Sequence, residues 1–384
     1  MSNNRISEIL SKAVEGERVS IDEGVYLYHN ATLLELGSAA GIIKRKKIIE
    51  AGRDPDMVTF VVDRNINYTN VCTSECKFCN FYRTSDDEDA YVLSNEKIVE
   101  KIGELVAIGG TQVLIQGGVN PDLKLDYYTK LFSYIKSKYP TVTLHGLSAV
   151  EILNIAKISD KSLLDTLKIL RDAGLDSVPG AGAEMLVERV RNIVSPYKMS
   201  SSDWLHVMET VHGLGMNTSS TMVYGSVETV EERFIHFDEL RKLQDRTSGF
   251  TAFILWPFQP DGTELQAEIQ DNPDLIQIQN TALKDQNKID NTGFEYLKML
   301  ALSRIMLDNF VNIQASWVTQ GLKIGQVSLS FGANDMGGTM MEENVVSQAG
   351  TVHHTNQQQI VDAIRKAGYL PAKRNTRYDI LQKY

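Results

Sequence analysis

A chain of 384 residues that is 42% hydrophobic and 23% charged has the make-up of a globular protein with a sizeable core. Its formal charge of −10 argues against nonspecific nucleic-acid binding, which needs clustered Lys and Arg to neutralise phosphates. No apolar run approaches the ~20 residues that span a bilayer, and Met1–Glu50 is charged and helical rather than signal-like, so a cytoplasmic protein without a membrane partner is expected.

The chain begins with helical material. Ile6, Ile9, Leu10, Ala13 and Val14 recur at helix spacing, and Leu33, Leu34, Leu36, Ile42 and Ile43 suggest a second helical stretch. The basic run Lys44–Lys47 that follows is expected to be a solvated face. From Met57 the pattern changes to β-branched and aromatic residues, MVTFVVDRNINYTN, which predict a strand. Ser94 is placed to cap a helix carrying Ile98, Ile102, Leu105 and Val106 on one face.

Strand and helix then alternate. Strands are predicted at Gln112–Gln116, Thr141–Ser148, around Asp176–Val178, at Asn217–Gly225, Gly249–Pro260 and Asn312–Val318, and near Gln326–Phe331. Helices are predicted between them, including Ala183 to Ile193, Glu228 to Gln244 and Phe294 to about Phe310, with a looser stretch from Asp261 to Asn291. A last helix is expected over Gln357–Ala367, before a polar, basic end. Eight strand–helix units indicate an α/β fold closed as a (β/α)8 TIM-type barrel. An open doubly wound sheet is the alternative, but no G-x-G-x-x-G follows the first strand. The expected layout is a helical extension over 1–56, a barrel over 57–350 and a tail over 351–384 packed on it.

All three cysteines of the chain, Cys72, Cys76 and Cys79, lie in one stretch, NYTNVCTSECKFCNFYR, directly after the first strand. An odd, clustered set does not suit a disulfide framework and fits a reducing compartment. A structural zinc site is usually closed by four protein ligands, and no His lies near enough to complete one. Thiolate ligation suits an iron–sulfur cluster, and three sulfurs on a [4Fe-4S] cube leave one iron open to a small molecule. An ordinary metal staple or three buried thiols is the plainer alternative. In a parallel barrel this loop falls on the active face. So do Gly117-Gly118, His145, the PGAGAE turn, Tyr224, Trp256-Pro257, Gln314–Trp317 and the Gly332–Gly338 loop.

C-x3-C-x2-C with Phe78 just before the last Cys, after the first strand of a βα series, resembles the radical S-adenosylmethionine superfamily. HGLSAVEI at His145, LDSVPGAGAE ending at Glu184 and ILWPFQPDGTEL near Trp256 resemble its menaquinone–deazaflavin branch. NIQASWVTQG (Asn312–Gly321) and SLSFGANDMGGTMMEENVVSQAG resemble the family of cyclases that serve the futalosine route to menaquinone. The likeness runs from about Val61 to Gly350. Ala181 stands where that branch has Gly, and Val119 where the superfamily has the Glu of its Gly-Gly-Glu turn.

The resemblance implies that Cys72, Cys76 and Cys79 hold a [4Fe-4S] cluster whose open iron chelates S-adenosyl-L-methionine. It implies that Phe78 packs near the adenine, that backbone carbonyls of Gly117 and Gly118 meet the methionine amino group, and that Glu184 binds the ribose hydroxyls. A helix N-terminal charge is the alternative role for Glu184. The implied substrate is dehypoxanthinyl futalosine, with hydrogen taken at C4′, radical addition to the benzoate ring to give a spirocycle, and loss of a proton and an electron. An external electron donor is implied. His145 is a candidate base, since an unshifted His titrates near neutrality, or else a neutral hydrogen-bonding or core residue. Tyr224 and Trp256 are candidate ring walls or core aromatics, and Gln314, Ser316, Asn334 and Asp335 candidate partners of sugar hydroxyls. Arg83, Arg191 and Lys198 are candidates to meet the benzoate carboxylate. Aminofutalosine synthase is the rival within the superfamily; a noncatalytic iron–sulfur electron carrier is the rival of another class.

Overall fold

The computed structural model describes residues 2–275 and 292–384. Three helices, Ser2–Glu15, Ile21–Asn30 and Leu33–Glu50, precede the first strand. Ser20 and Thr32 open the second and third with reciprocal capping boxes to Glu23 and Glu35. The third helix runs through the basic run. Lys44 is buried there, its ammonium 2.6 Å from the Leu329 carbonyl and 3.0 Å from the Tyr369 hydroxyl, so the run is not wholly solvated.

The strands are β1 (Met57–Val61), β2 (Asp63–Ile66), β3 (Gln112–Ile115), β4 (Thr143–Gly146), β5 (Ser177–Val178), β6 (Asn217–Tyr224), β7 (Phe250–Pro257), β8 (Asn312–Gln314), β9 (Asp335–Gly338), β10 (Leu370–Arg374) and β11 (Ile380–Lys383). β1 and β2 are one extended segment interrupted at Val62. Its lower half pairs with β9 and its upper half with β3, while β3 through β9 pair parallel in sequence order. The segment therefore joins both ends of the sheet, and eight parallel strands close as a TIM-type barrel. Met57, Val58, Phe60 and Val61 are all buried, as a strand covered on both faces requires.

Several elements differ from expectation. The eighth strand is Asp335–Gly338, not 326–331: Gln326 to Ser328 end the helix Trp317–Ser328. Apolar runs of four to eight residues do not by themselves separate a strand from a buried helix end. The helix expected from Ala183 begins only at Glu188, leaving 180–187 as an irregular turn. Of the loose stretch, Glu264–Asp271 is helical, and its part from 276 to 291 lies outside the described residues. The polar end of the chain is a hairpin, β10–β11, and β10 lies parallel to β1 at the foot of the barrel. Among the described residues no helix is long and apolar enough to cross a membrane.

Candidate active site

The three cysteines leave the end of the first strand on a loop pinned along its length. The Cys72 amide donates to the Arg83 carbonyl at 2.9 Å, that of Thr73 to Val119 at 3.1 Å, and that of Lys77 to Val194 at 2.9 Å. Lys77 is also paired with Glu268, so the loop is tied to the elements on both sides. Gly118 lies directly beneath it. A Cβ there would come within 2.2 Å of the Val71 carbonyl and 2.8 Å of the Cys72 Cβ, so only glycine lets the two segments approach. The Gly117 amide is held by Glu151 Oε1 at 3.1 Å, and the same carboxylate takes the Tyr68 hydroxyl at 2.7 Å and the Ser148 amide at 2.6 Å. Sequence reasoning missed Glu151, although Ser148 and Glu151 have capping-box spacing.

A cavity of about 420 Å³ runs from this loop to the barrel floor, within the range of small-molecule sites. Cys72, Cys76, Cys79, Phe78, Gly117, Gly118, Glu184 and Lys198 line one end. Lys198 Nζ sits 2.5 Å from Glu184 Oε1 and 5.5 Å from the centre of the Phe78 ring. Burial works against the Lys198 charge, but Cys76 and Glu184 beside it hold its pKa above the usual lysine value. Burial pushes the Cys76 thiol up to about 12, with Lys198 working the other way. Burial raises Cys79 as well, opposed by the Phe81 and Tyr82 amides.

Such thiols are poor free nucleophiles but suited to metal, whose charge drives deprotonation on binding. All three are free. Among the described residues no three His, Cys, Asp or Glu side chains are placed to hold a single ion. A cluster gives each thiolate its own iron and does not require the sulfurs to meet at one point. The donor set and the glycine cradle fit an iron–sulfur cluster.

Trp256, Gln314 and His145 line the cavity's middle, as expected of candidates at strand ends. The other substrate candidates do not. Along β6 burial alternates residue by residue, so Ser219, Thr221 and Val223 face the cavity while Tyr224 faces the helices. The Tyr224 ring lies 4.9 Å beneath the buried Arg233 guanidinium. Ser316 is buried and bonded to Thr319, which lines the cavity in its place. Asn334 is occupied by Arg304, the Ile313 amide and Asn312. Asp335 is fully buried in a bidentate pair with Arg374, at 2.6 and 2.9 Å, and accepts the Thr59 hydroxyl.

Of the candidate cations only Lys198 lines the cavity. Arg83 is paired with Asp89, and Arg191 is spent on the carbonyls of Gly182, Ala183 and Met199, where it shapes the 180–187 turn. His145 departs from the assumption that made it a base. Its Nδ1 is 2.7 Å from Ser177 Oγ, and burial together with Arg374 pushes its pKa down to about 3, so it is neutral near pH 7. The cavity floor is made by residues not singled out from sequence: Asp63, Gln112, Arg374, Thr376 and Tyr378. Three of these come from the C-terminal tail. Asp63, Asn65 and Asn67 recur at every second position, a signal blurred by the charged Arg64 between the first two; the tail residues carried none.

Residues 66–240 match the Radical SAM superfamily, and residues 247–384 match the CofH/MqnC C-terminal region. The cyclic dehypoxanthine futalosine synthase of Halalkalibacterium halodurans is 43% identical over 99% of this chain and 96% of its own. The 5-amino-6-(D-ribitylamino)uracil–L-tyrosine 4-hydroxyphenyl transferase of Methanothermobacter thermautotrophicus is 38% identical over 97% of each. The crystal structure of methylornithine synthase shares the fold, with a TM-score of 0.68 and 15% identity over 95% of this chain and 97% of that one. The chain belongs to the radical S-adenosylmethionine superfamily, in its CofH/MqnC branch, and is an enzyme that works with a [4Fe-4S] cluster and S-adenosylmethionine.

Proposed function

We propose that the chain converts dehypoxanthinyl futalosine to its cyclic spiro product, an oxidative carbon–carbon bond-forming step of menaquinone biosynthesis. The observation that carries this reading is the single cavity joining a three-thiol loop to a polar barrel floor, in a chain similar over its whole length to cyclic dehypoxanthine futalosine synthase.

When bound, the cluster and S-adenosylmethionine supply a 5′-deoxyadenosyl radical. The chain's own residues do the rest by position. Cys72, Cys76 and Cys79 hold the cluster, and Glu184, oriented by Lys198, accepts the ribose hydroxyls of the cofactor. Phe78 offers a face to the adenine, and the Gly117-Gly118 turn offers carbonyls to the methionine amino group. The substrate lies deeper, against Trp256, Gln314 and neutral His145, whose Nε2 has no hydrogen-bond partner among the described residues. Its benzoate end points to the polar floor of the cavity. The barrel walls keep water from the radical.

The test is anaerobic turnover. Enzyme reconstituted with iron and sulfide receives a low-potential reductant, S-adenosylmethionine and either dehypoxanthinyl futalosine or the enolpyruvyl substrate of aminofutalosine synthase. The expected result is 5′-deoxyadenosine together with a product one pair of hydrogens lighter than dehypoxanthinyl futalosine. Product from the enolpyruvyl compound alone would move the assignment to the rival synthase.

A further inference from the structure

Among the carboxylates that line the cavity, all but one have an evident task. Glu151 is spent on the Gly117 and Ser148 amides and the Tyr68 hydroxyl. Glu343 accepts the amides of Val345, Val346 and Ser347, and Glu184 is paired with Lys198 at the cofactor end. Asp63 is different. It is 5% exposed and lines the cavity. Its Oδ1 accepts the Met340 amide at 2.9 Å, while Oδ2 accepts nothing from any other described residue.

The site is built to hold this carboxylate in one place. The Asp63 backbone is clasped by Thr339, whose hydroxyl takes the Asp63 amide and donates to its carbonyl, both at 3.1 Å. Gly338 lies against the carboxyl group. A Cβ there would stand 2.2 Å from Oδ1 and 2.3 Å from Oδ2, so any other residue would displace the carboxylate. The charged groups facing it are Arg374 from β10 and Asp335 from β9. Arg374 is engaged by Asp335 rather than by Asp63. Burial raises the pKa of Asp63 to about 6, with Arg374 opposing and Asp335 adding to the shift. A fixed carboxylate with one oxygen open to a substrate cavity, and free of any salt bridge among the described residues, has the geometry of a general base.

We infer that Asp63 is the proton acceptor of ring closure. This rests on the cyclase reading above. When the C4′ radical adds to the benzoate ring, a carbon–carbon bond forms, and the attacked ring carbon keeps its hydrogen while an unpaired electron spreads through the ring. Aromaticity returns when that carbon–hydrogen bond breaks. Its proton goes to Asp63 Oδ2, its electron pair stays in the ring, and the unpaired electron passes to an oxidised iron–sulfur centre, the state that reductive cleavage of S-adenosylmethionine leaves. His145, neutral and far less basic, is the weaker acceptor.

The test uses full-length reconstituted enzyme and its D63N variant, in which the amide oxygen can still accept the Met340 amide. Substrate KM, 5′-deoxyadenosine and cyclic product are measured together. The expected result is a KM within about threefold of wild type, continued formation of 5′-deoxyadenosine, and a product-to-deoxyadenosine ratio lower by roughly a hundredfold. In the wild type that ratio should fall as pH drops below about 6, and D63E should recover part of it. An unchanged ratio in D63N, or a raised KM with an unchanged ratio, overturns the inference; the latter leaves Asp63 a hydroxyl-binding group. If D63N does not fold, a pH-independent ratio in the wild type overturns it. A wild type that forms 5′-deoxyadenosine but no cyclic product contradicts the cyclase reading itself, not the role of Asp63.

Discussion

Cys76 carries the largest burden among the three thiols. It is the most enclosed, with its pKa pushed up to about 12 by burial, so under the proposed ligation its ionisation would depend on the charge of bound iron. The Cys76→Ala chain, reconstituted anaerobically, should drop from about four irons per chain toward none and lose the visible cluster absorption. An intact four-iron spectrum would contradict the ligand assignment. The cysteine loop's place on the cavity was legible in the sequence because it holds the chain's full complement of cysteines directly after the first strand. The role proposed for Glu184 came only through resemblance, since a lone Glu before a helix has an ordinary electrostatic role. Asp63 and Arg374 were not singled out. Asp63 sits within a buried strand, and Arg374 acquires its place only when a distant tail docks against β1.

At the level of elements, seven of the eight barrel strands were legible to within a few residues and the eighth was misread from a helix end, but which face each side chain takes was not legible. β6 shows why. Its register is fixed by pairing with β7, and a shift of one residue exchanges cavity for core. Tyr224 was therefore a plausible wall from sequence and is a core residue in the fold. Two substitutions separate the faces: Val223→Phe should raise KM for the substrate about tenfold by filling the cavity, whereas Tyr224→Phe should leave kinetics within about twofold. The tail hairpin is the second case. Arg374 neutralises Asp335, which is fully buried, and stacks 3.9 Å over Tyr378. Arg374→Met leaves that carboxylate buried and unpaired, at a cost of about 3–5 kcal/mol in unfolding free energy measured by denaturant titration. A loss under 1 kcal/mol would mean that the tail is only an appendage.

The whole molecule combines a closed barrel, a helical N-terminal layer and a tail that seals the floor, and its stability should depend on pH through buried histidines. His236 is fully buried and accepts the Leu186 amide on Nδ1 at 3.0 Å, bracing the 180–187 turn that carries Glu184. Burial pushes its pKa down to about 3. An unfolded His protonates near 6.5. Below that pH the unfolded chain binds a proton the folded one refuses, so this contribution is fully present above pH 6.5 and is lost as pH falls. Between pH 6.5 and 5 the loss is on the order of 2 kcal/mol, and His236→Asn, which keeps an acceptor but cannot titrate, should remove that part of the slope in denaturant titrations. The molecule's chemistry is tested most directly by isotope transfer. Dehypoxanthinyl futalosine carrying deuterium at C4′ is turned over anaerobically with S-adenosylmethionine, and the 5′-deoxyadenosine is weighed by mass spectrometry. One deuterium in the 5′-deoxyadenosine, formed alongside the cyclic product, is the predicted result. Unlabelled 5′-deoxyadenosine accompanying that product would contradict abstraction at C4′.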